Sequence, residues 1–151
     1  MLTATRVQRL ARRVPALATA RNDAELAAIA WACEMTALEA SAGEMDDRHV
    51  EWADFDQMLA DMPQALGRVA DHFGFRADNE SLAAIASGPL MSRYSKALEH
   101  DYSANLRREL IAEADRDHRP HIESALAMLD LAAEKSPLLA RSLSRAHEQG
   151  R

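Results

Sequence analysis

NDAELAAIAWACEMTALEASAG, residues 22–43, sets the fold class of this chain. Asn22 followed three residues later by Glu25 has the spacing of a capping box. Leu26, Ile29, Ala30, Cys33 and Ala37 then recur on one helical face up to Gly43, so the pattern predicts a helix over 23–42. Trp31, Met35 and Leu38 add a second apolar row, and the helix is expected to pack on two sides or within a larger assembly. Cys33, on the inner face, reads as a small buried apolar residue rather than a nucleophile.

Composition carries the same message outward. The chain has 151 residues, 48% hydrophobic and 28% charged, which fits a single globular domain. Alanine supplies 31 of them, whereas valine and isoleucine together supply 8, so helix-forming material is plentiful and strand-forming material scarce. The fold class is mainly α. One cysteine excludes an internal disulfide and a thiolate cage, which suits a reducing, cytoplasmic location. No apolar run approaches the roughly 20 residues that cross a bilayer, and no membrane span is expected.

Charge is unevenly spread. The net charge is −6, yet residues 1–22 hold Arg6, Arg9, Arg12, Arg13 and Arg21 with no acid. The body therefore repels a polyanion, and nucleic acid is not an expected partner. Val7, Leu10, Val14 and Leu17 recur at roughly helical spacing in this opening stretch. Residues 1–21 read as a basic amphipathic or frayed segment ahead of a helical body over 22–151, the alternatives being a dock for an acidic partner, a targeting segment or a nucleic-acid arm.

Along the body, Val50 and Trp52 alternate with Glu51 and Ala53, giving the one strand the sequence supports. A lone strand leaves its backbone groups unsatisfied, so either residues 50–53 are an isolated extended piece or their sheet lies outside this sequence. Asp54 with Gln57 predicts a short helix, and Asp61 with Pro63 predicts the next. Leu66, Val69, Ala70 and Phe73 give that helix its stripe, and Gly74 its left-handed stop. A further short helix is expected over 79–86, closed by Gly88-Pro89. Residues 90–102 read as a loop with one helical turn. Ser103 caps a helix striped by Leu106, Leu110, Ile111 and Ala114, which Pro120 should bend or restart before Ile122, Ala125, Leu126, Leu129 and Ala133. Ser136-Pro137 opens a last helix with Leu138, Leu139 and Leu143.

The five glycines never cluster, so no loop presents the row of amides that cradles a phosphate. His118 and His121 flank Pro120 near Asp115 and Asp117, a charged turn rather than a metal site. His49, His72 and His100 read as surface or packing residues, and no general base is assigned. One cluster stands apart. Arg93, Tyr94, Ser95 and Lys96 bring two cations, a hydroxyl and a flat ring into one segment, chemistry suited to a phosphate or sulfate or, equally, to a solvated basic turn.

Two stretches carry a resemblance. HVEWADFDQMLADMPQALGRVADHFGF, residues 49–75, resembles the C-terminal half of sulfotransferases that use PAPS, the adenosine-based sulfate donor. SGPLMSRYSKALEHDYSANLRRELIAEADRDHRPHIESALAML, residues 87–129, resembles bacterial sulfotransferase-like proteins in which an R-Y-S-K segment precedes the final long helices. The resemblance implies a single partial domain over 1–151, the C-terminal portion of a P-loop-like α/β fold without its N-terminal phosphate loop. It also implies that Arg93, Ser95 and Lys96 hold the donor's 3′-phosphate, with Tyr94 as packing or stacking support. Sulfuryl transfer needs donors aimed at the charge growing on the sulfuryl oxygens, and two cations cannot replace an amide cradle, so turnover by this chain alone is not expected. Residues 50–53 would then edge a sheet supplied from elsewhere, and the apolar face left exposed predicts a homo-oligomer or a complementary chain. The competing expectation is a non-enzymatic helical interaction module.

Overall fold

The computed structural model describes residues 12–17, 19–94 and 97–149. Among them lie α1 (Asp23–Ala42), α2 (Phe55–Ala60), α3 (Met62–His72), α4 (Asn79–Ala86), β1 (Arg93–Tyr94), β2 (Ala97–Asp101), α5 (Ala104–Ala133) and α6 (Pro137–Gln149). The protein is mainly helical, and among the described residues no helix is long and apolar enough to cross a membrane. Packing divides the chain into two compact units, residues 1–46 with 115–151, and residues 47–114.

Helix starts follow from short polar side chains. Asn22, Asp54, Asp61 and Asp78 each accept the backbone N–H of the third residue on, at 2.9, 2.6, 3.1 and 2.7 Å. Each bond satisfies one donor that helix geometry leaves orphaned, worth about 1 kcal/mol. Gly74 ends α3 with φ 71°. Its N–H bonds to the Asp71 carbonyl at 3.0 Å while that of Phe75 reaches Ala70 at 2.8 Å, the paired bonds of a Schellman turn.

The unit built from residues 1–46 and 115–151 has a definite core. Val14, Leu17, Ile29, Ala32, Cys33, Leu129, Ala132 and Leu139 form one buried cluster, with α1 and α6 approaching to Cα separations of 8 Å or less. Val14 and Leu17 are thus core residues rather than frayed ones; residues 1–11 lie outside the described residues. The buried face of α1 differs from the expected one. It runs through Glu25, Ile29, Ala32, Cys33, Thr36 and Glu39, while Leu26 and Leu38 are about half exposed.

Two glutamates occupy that face because each is paired. Glu39 receives the Arg145 guanidinium at 2.8 Å, with Arg141 at 3.6 Å. Glu25 accepts from the Arg21 guanidinium at 2.6 Å, from the Arg21 backbone N–H at 2.8 Å and from the Ser124 hydroxyl at 2.9 Å. The reciprocal arm of the cap therefore reaches one residue further back than a capping box does. The Arg21 side-chain hydrogen bond, reinforced by the Arg21 N–H, lowers the Glu25 carboxyl to about 2. A depressed carboxylate contributes its stabilisation in full above the unfolded value of 4.5 and loses it as pH falls toward 2. Melting temperature should fall across that window, and Glu25→Gln should flatten the fall; an unchanged pH profile in the variant would remove Glu25 from the acid response.

The unit of residues 47–114 is poorly filled by comparison. Helices α2, α3 and α4 pack in succession, yet Ala65 and Leu82 are its only buried apolar side chains among the described residues. Phe55, Phe73, Phe75, Ile85, Leu110 and Ile111 are each exposed by about half or more. The stripe expected at the start of α5 thus has Leu110 and Ile111 facing solvent.

Two expectations are corrected, and a third is narrowed. The strand at residues 50–53 does not form: the segment has no regular secondary structure and joins no ladder among the described residues. The sheet lies instead within the stretch expected to be a loop, where β1 and β2 pair antiparallel with Arg93 opposite Asp101 and Tyr94 opposite Ala97. Of the two outcomes expected at Pro120, a bend or a restart, the restart does not occur, since α5 is continuous through it. A proline removes one donor and strains one turn, and the helix on either side is long enough to carry that.

Candidate functional site

The basic cluster falls at the hairpin. Arg93 and Tyr94 make up β1, while Ser95 and Lys96, which separate β1 from β2 in sequence, lie outside the described residues. Backbone placement is all that is described for Tyr94. Arg93 is half exposed, and its guanidinium pairs with the Asp101 carboxylate directly across the ladder. Cross-strand register thus explains the pair: two residues opposed in an antiparallel ladder bring their side chains to one side of the sheet.

Electrostatics decides what this geometry can hold. An exposed ion pair is worth about 0–1 kcal/mol, so Asp101 yields Arg93 to a phosphate at little cost. Asp101 and Glu99 remain on β2 as like charges to any anion. Residues 47–114 carry twelve acidic and seven basic residues, net −5, whereas the other unit carries twelve and eleven, net −1. Of the four residues implied by the resemblance, Arg93 alone contributes a described side chain.

A cation that sequence reading missed is Arg107, in the second turn of α5. Its guanidinium bonds Asp56 at 2.6 and 3.3 Å and lies 5.3 Å from the Phe55 ring centroid. The Arg107 hydrogen bond holds the Asp56 carboxyl below its usual range, and Asp56 in turn raises the guanidinium. Only a long-range contact joins residues 51 apart, so no local signal announces it.

Beside residues 51–54 opens a cleft of about 210 Å³ lined by Trp52, Asp54, Gln57 and Arg68. Ligand pockets for drug-sized molecules run from about 300 Å³ upward, so this cleft is too small for a nucleotide. In the other unit, a groove of about 490 Å³ is lined by Ala24, Ala28, Trp31, Leu126, Leu129 and His147. Among the described residues no three His, Cys, Asp or Glu side chains gather to hold a metal ion. None of the protein-family models, curated proteins or solved structures compared with this chain matches it.

Proposed function

We propose that this chain is the C-terminal, donor-contacting portion of a PAPS-dependent sulfotransferase-type α/β fold, binding the sulfate donor through the 93–96 segment and without turnover by itself. The observation that carries the reading is the state of residues 47–114. A unit of this size with two buried apolar side chains and seven large exposed ones among the described residues is a layer without its facing layer. Residues 50–54 alternate between partly buried and exposed, the pattern of a strand awaiting a neighbour. A sheet supplied by a complementary chain, or by a second copy, would cover that face. In this role Arg93 and Lys96 attract the donor's phosphate, Ser95 donates a hydrogen bond and Tyr94 supports the loop.

Calorimetry with adenosine 3′,5′-bisphosphate, the desulfated donor, tests this. Saturable binding is expected, and Arg93→Ala should weaken it by about 10- to 100-fold, the worth of one charge-assisted hydrogen bond. Absence of binding by the unaltered protein overturns the reading.

The second reading, a non-enzymatic helical interaction module, is favoured by the 490 Å³ apolar groove on the nearly neutral unit. Silence in calorimetry together with a monomer–dimer equilibrium in sedimentation selects it.

A further inference from the structure

We propose that the turn bearing Phe73 and Phe75 is a docking point for a cationic polypeptide segment with an apolar face. The inference deepens the reading that another polypeptide covers the acidic unit, by naming that polypeptide's chemistry.

Local structure comes first. The two Schellman bonds and the φ of 71° at Gly74 fix the backbone between the two phenylalanines. Their ring centroids lie 6.2 Å apart with planes at 39°, and His72 meets Phe73 edge-on at 5.1 Å. In a Schellman turn the apolar residue after the glycine commonly folds back on the helix. Here it does not: Phe75 is 68% exposed and Phe73 66%. The rings are adjacent and largely uncovered, the arrangement of aromatic anchors at a binding surface.

Charge then selects the occupant. The rings stand at the C-terminal end of α3, where the helix dipole is negative. Asp71, Asp78 and Glu80 flank them in sequence, with Arg76 as the one lysine or arginine between 71 and 80 and His72 beside Phe73. Aromatic faces are themselves electron-rich and attract ammonium or guanidinium groups. The same unit already displays this chemistry where Arg107 lies over Phe55. A second copy docking through this face would bring −5 against −5, and nucleic acid or an anionic lipid surface would be repelled as well. A basic, amphipathic polypeptide segment satisfies both the apolar area and the field.

Fluorescence anisotropy of the full chain with a labelled amphipathic peptide of leucine and arginine tests the proposal, a leucine–glutamate peptide serving as counterpart. The arginine peptide should bind saturably, and more weakly as salt is raised. Phe73→Ala with Phe75→Ala should weaken it by about tenfold or more. Phe73→Leu with Phe75→Leu keeps apolar area but removes the ring faces, and should weaken it severalfold. Both side chains are exposed, so the variants should melt as the parent does. Parent-like affinity in either double variant, or equal binding of the glutamate peptide, overturns the proposal. Peptide binding is read without nucleotide and nucleotide binding without peptide, so either result can fail while the other stands.

Discussion

Leu139→Ala should lower the unfolding free energy of the unit formed by residues 1–46 and 115–151 by about 2–5 kcal/mol. Leu139 lies in the first turn of α6 with no solvent exposure and belongs to the cluster that joins the described N-terminal residues, α1 and α5. Three of the eight residues in that cluster are Ala32, Cys33 and Ala132, so Leu17, Ile29, Leu129 and Leu139 supply most of its volume. Alanines cannot swing inward to refill a cavity, which places the cost toward the upper part of the range. The two tryptophans report separately, Trp31 from this unit and Trp52 from the other. Urea unfolding followed by Trp31 in a Trp52→Phe background reads the loss directly. A shift below about 1 kcal/mol would mean that the cluster relaxes around the truncation and that Leu139 is not its keystone.

What the sequence disclosed and what it hid divide along the range of the interactions. Caps act within three residues, so Asn22, Asp54, Asp61 and Ser103 mark helix starts where the structure has them. The left-handed stop at Gly74 is equally local. The phase of α1 was not legible, because a periodicity count places Glu25 and Glu39 outside. The partner of Glu39, Arg145, is 106 residues away, and Glu25 adds to its local partner Arg21 the hydroxyl of Ser124, 99 residues away; burial of a carboxylate is tolerable only when it is paired in this way. The hairpin at 93–101 was hidden for a different reason: a two-residue strand has no periodicity to detect. Residues 50–53 show the converse failure, since alternation describes what a segment could pair with and not whether a partner is present. At the candidate site, the residue types of the 93–96 segment were readable, but the Arg93 to Asp101 pairing follows from a register that no sequence pattern announced.

The split in charge gives the two units different prospects. On the nearly neutral unit, apolar contact meets no long-range penalty. On the acidic unit, every anion approaches against a net −5, and the local cations near the hairpin must overcome it. Donor binding by this chain alone is therefore expected to be weak, and a cationic partner seated near Phe73 and Phe75 would relieve the repulsion and strengthen it. The two proposed sites are thus coupled through the field of one small unit, without any change of conformation.

Pro120→Ala should stabilise the protein by about 3 kcal/mol, the difference between proline and alanine in a helix interior. Pro120 is exposed and lies within the 30 residues of α5, so no packing is lost on truncation and a backbone N–H is gained for the Arg116 carbonyl. Asp115 and Arg119 already form an ion pair four residues apart across this turn, and an exposed pair of that kind contributes only about 0.3–0.5 kcal/mol, far less than the proline costs. The boundary between the two units falls at residues 114 and 115, one position before Arg116. Urea unfolding followed at Trp31, in the same unit as Pro120, should show the gain directly. Stability unchanged or lowered in Pro120→Ala would mean that the geometry imposed by proline is used by the residues after it, Ile122, Ser124 and Ala125, to seat α5 in the core and to place the hydroxyl that Glu25 accepts from.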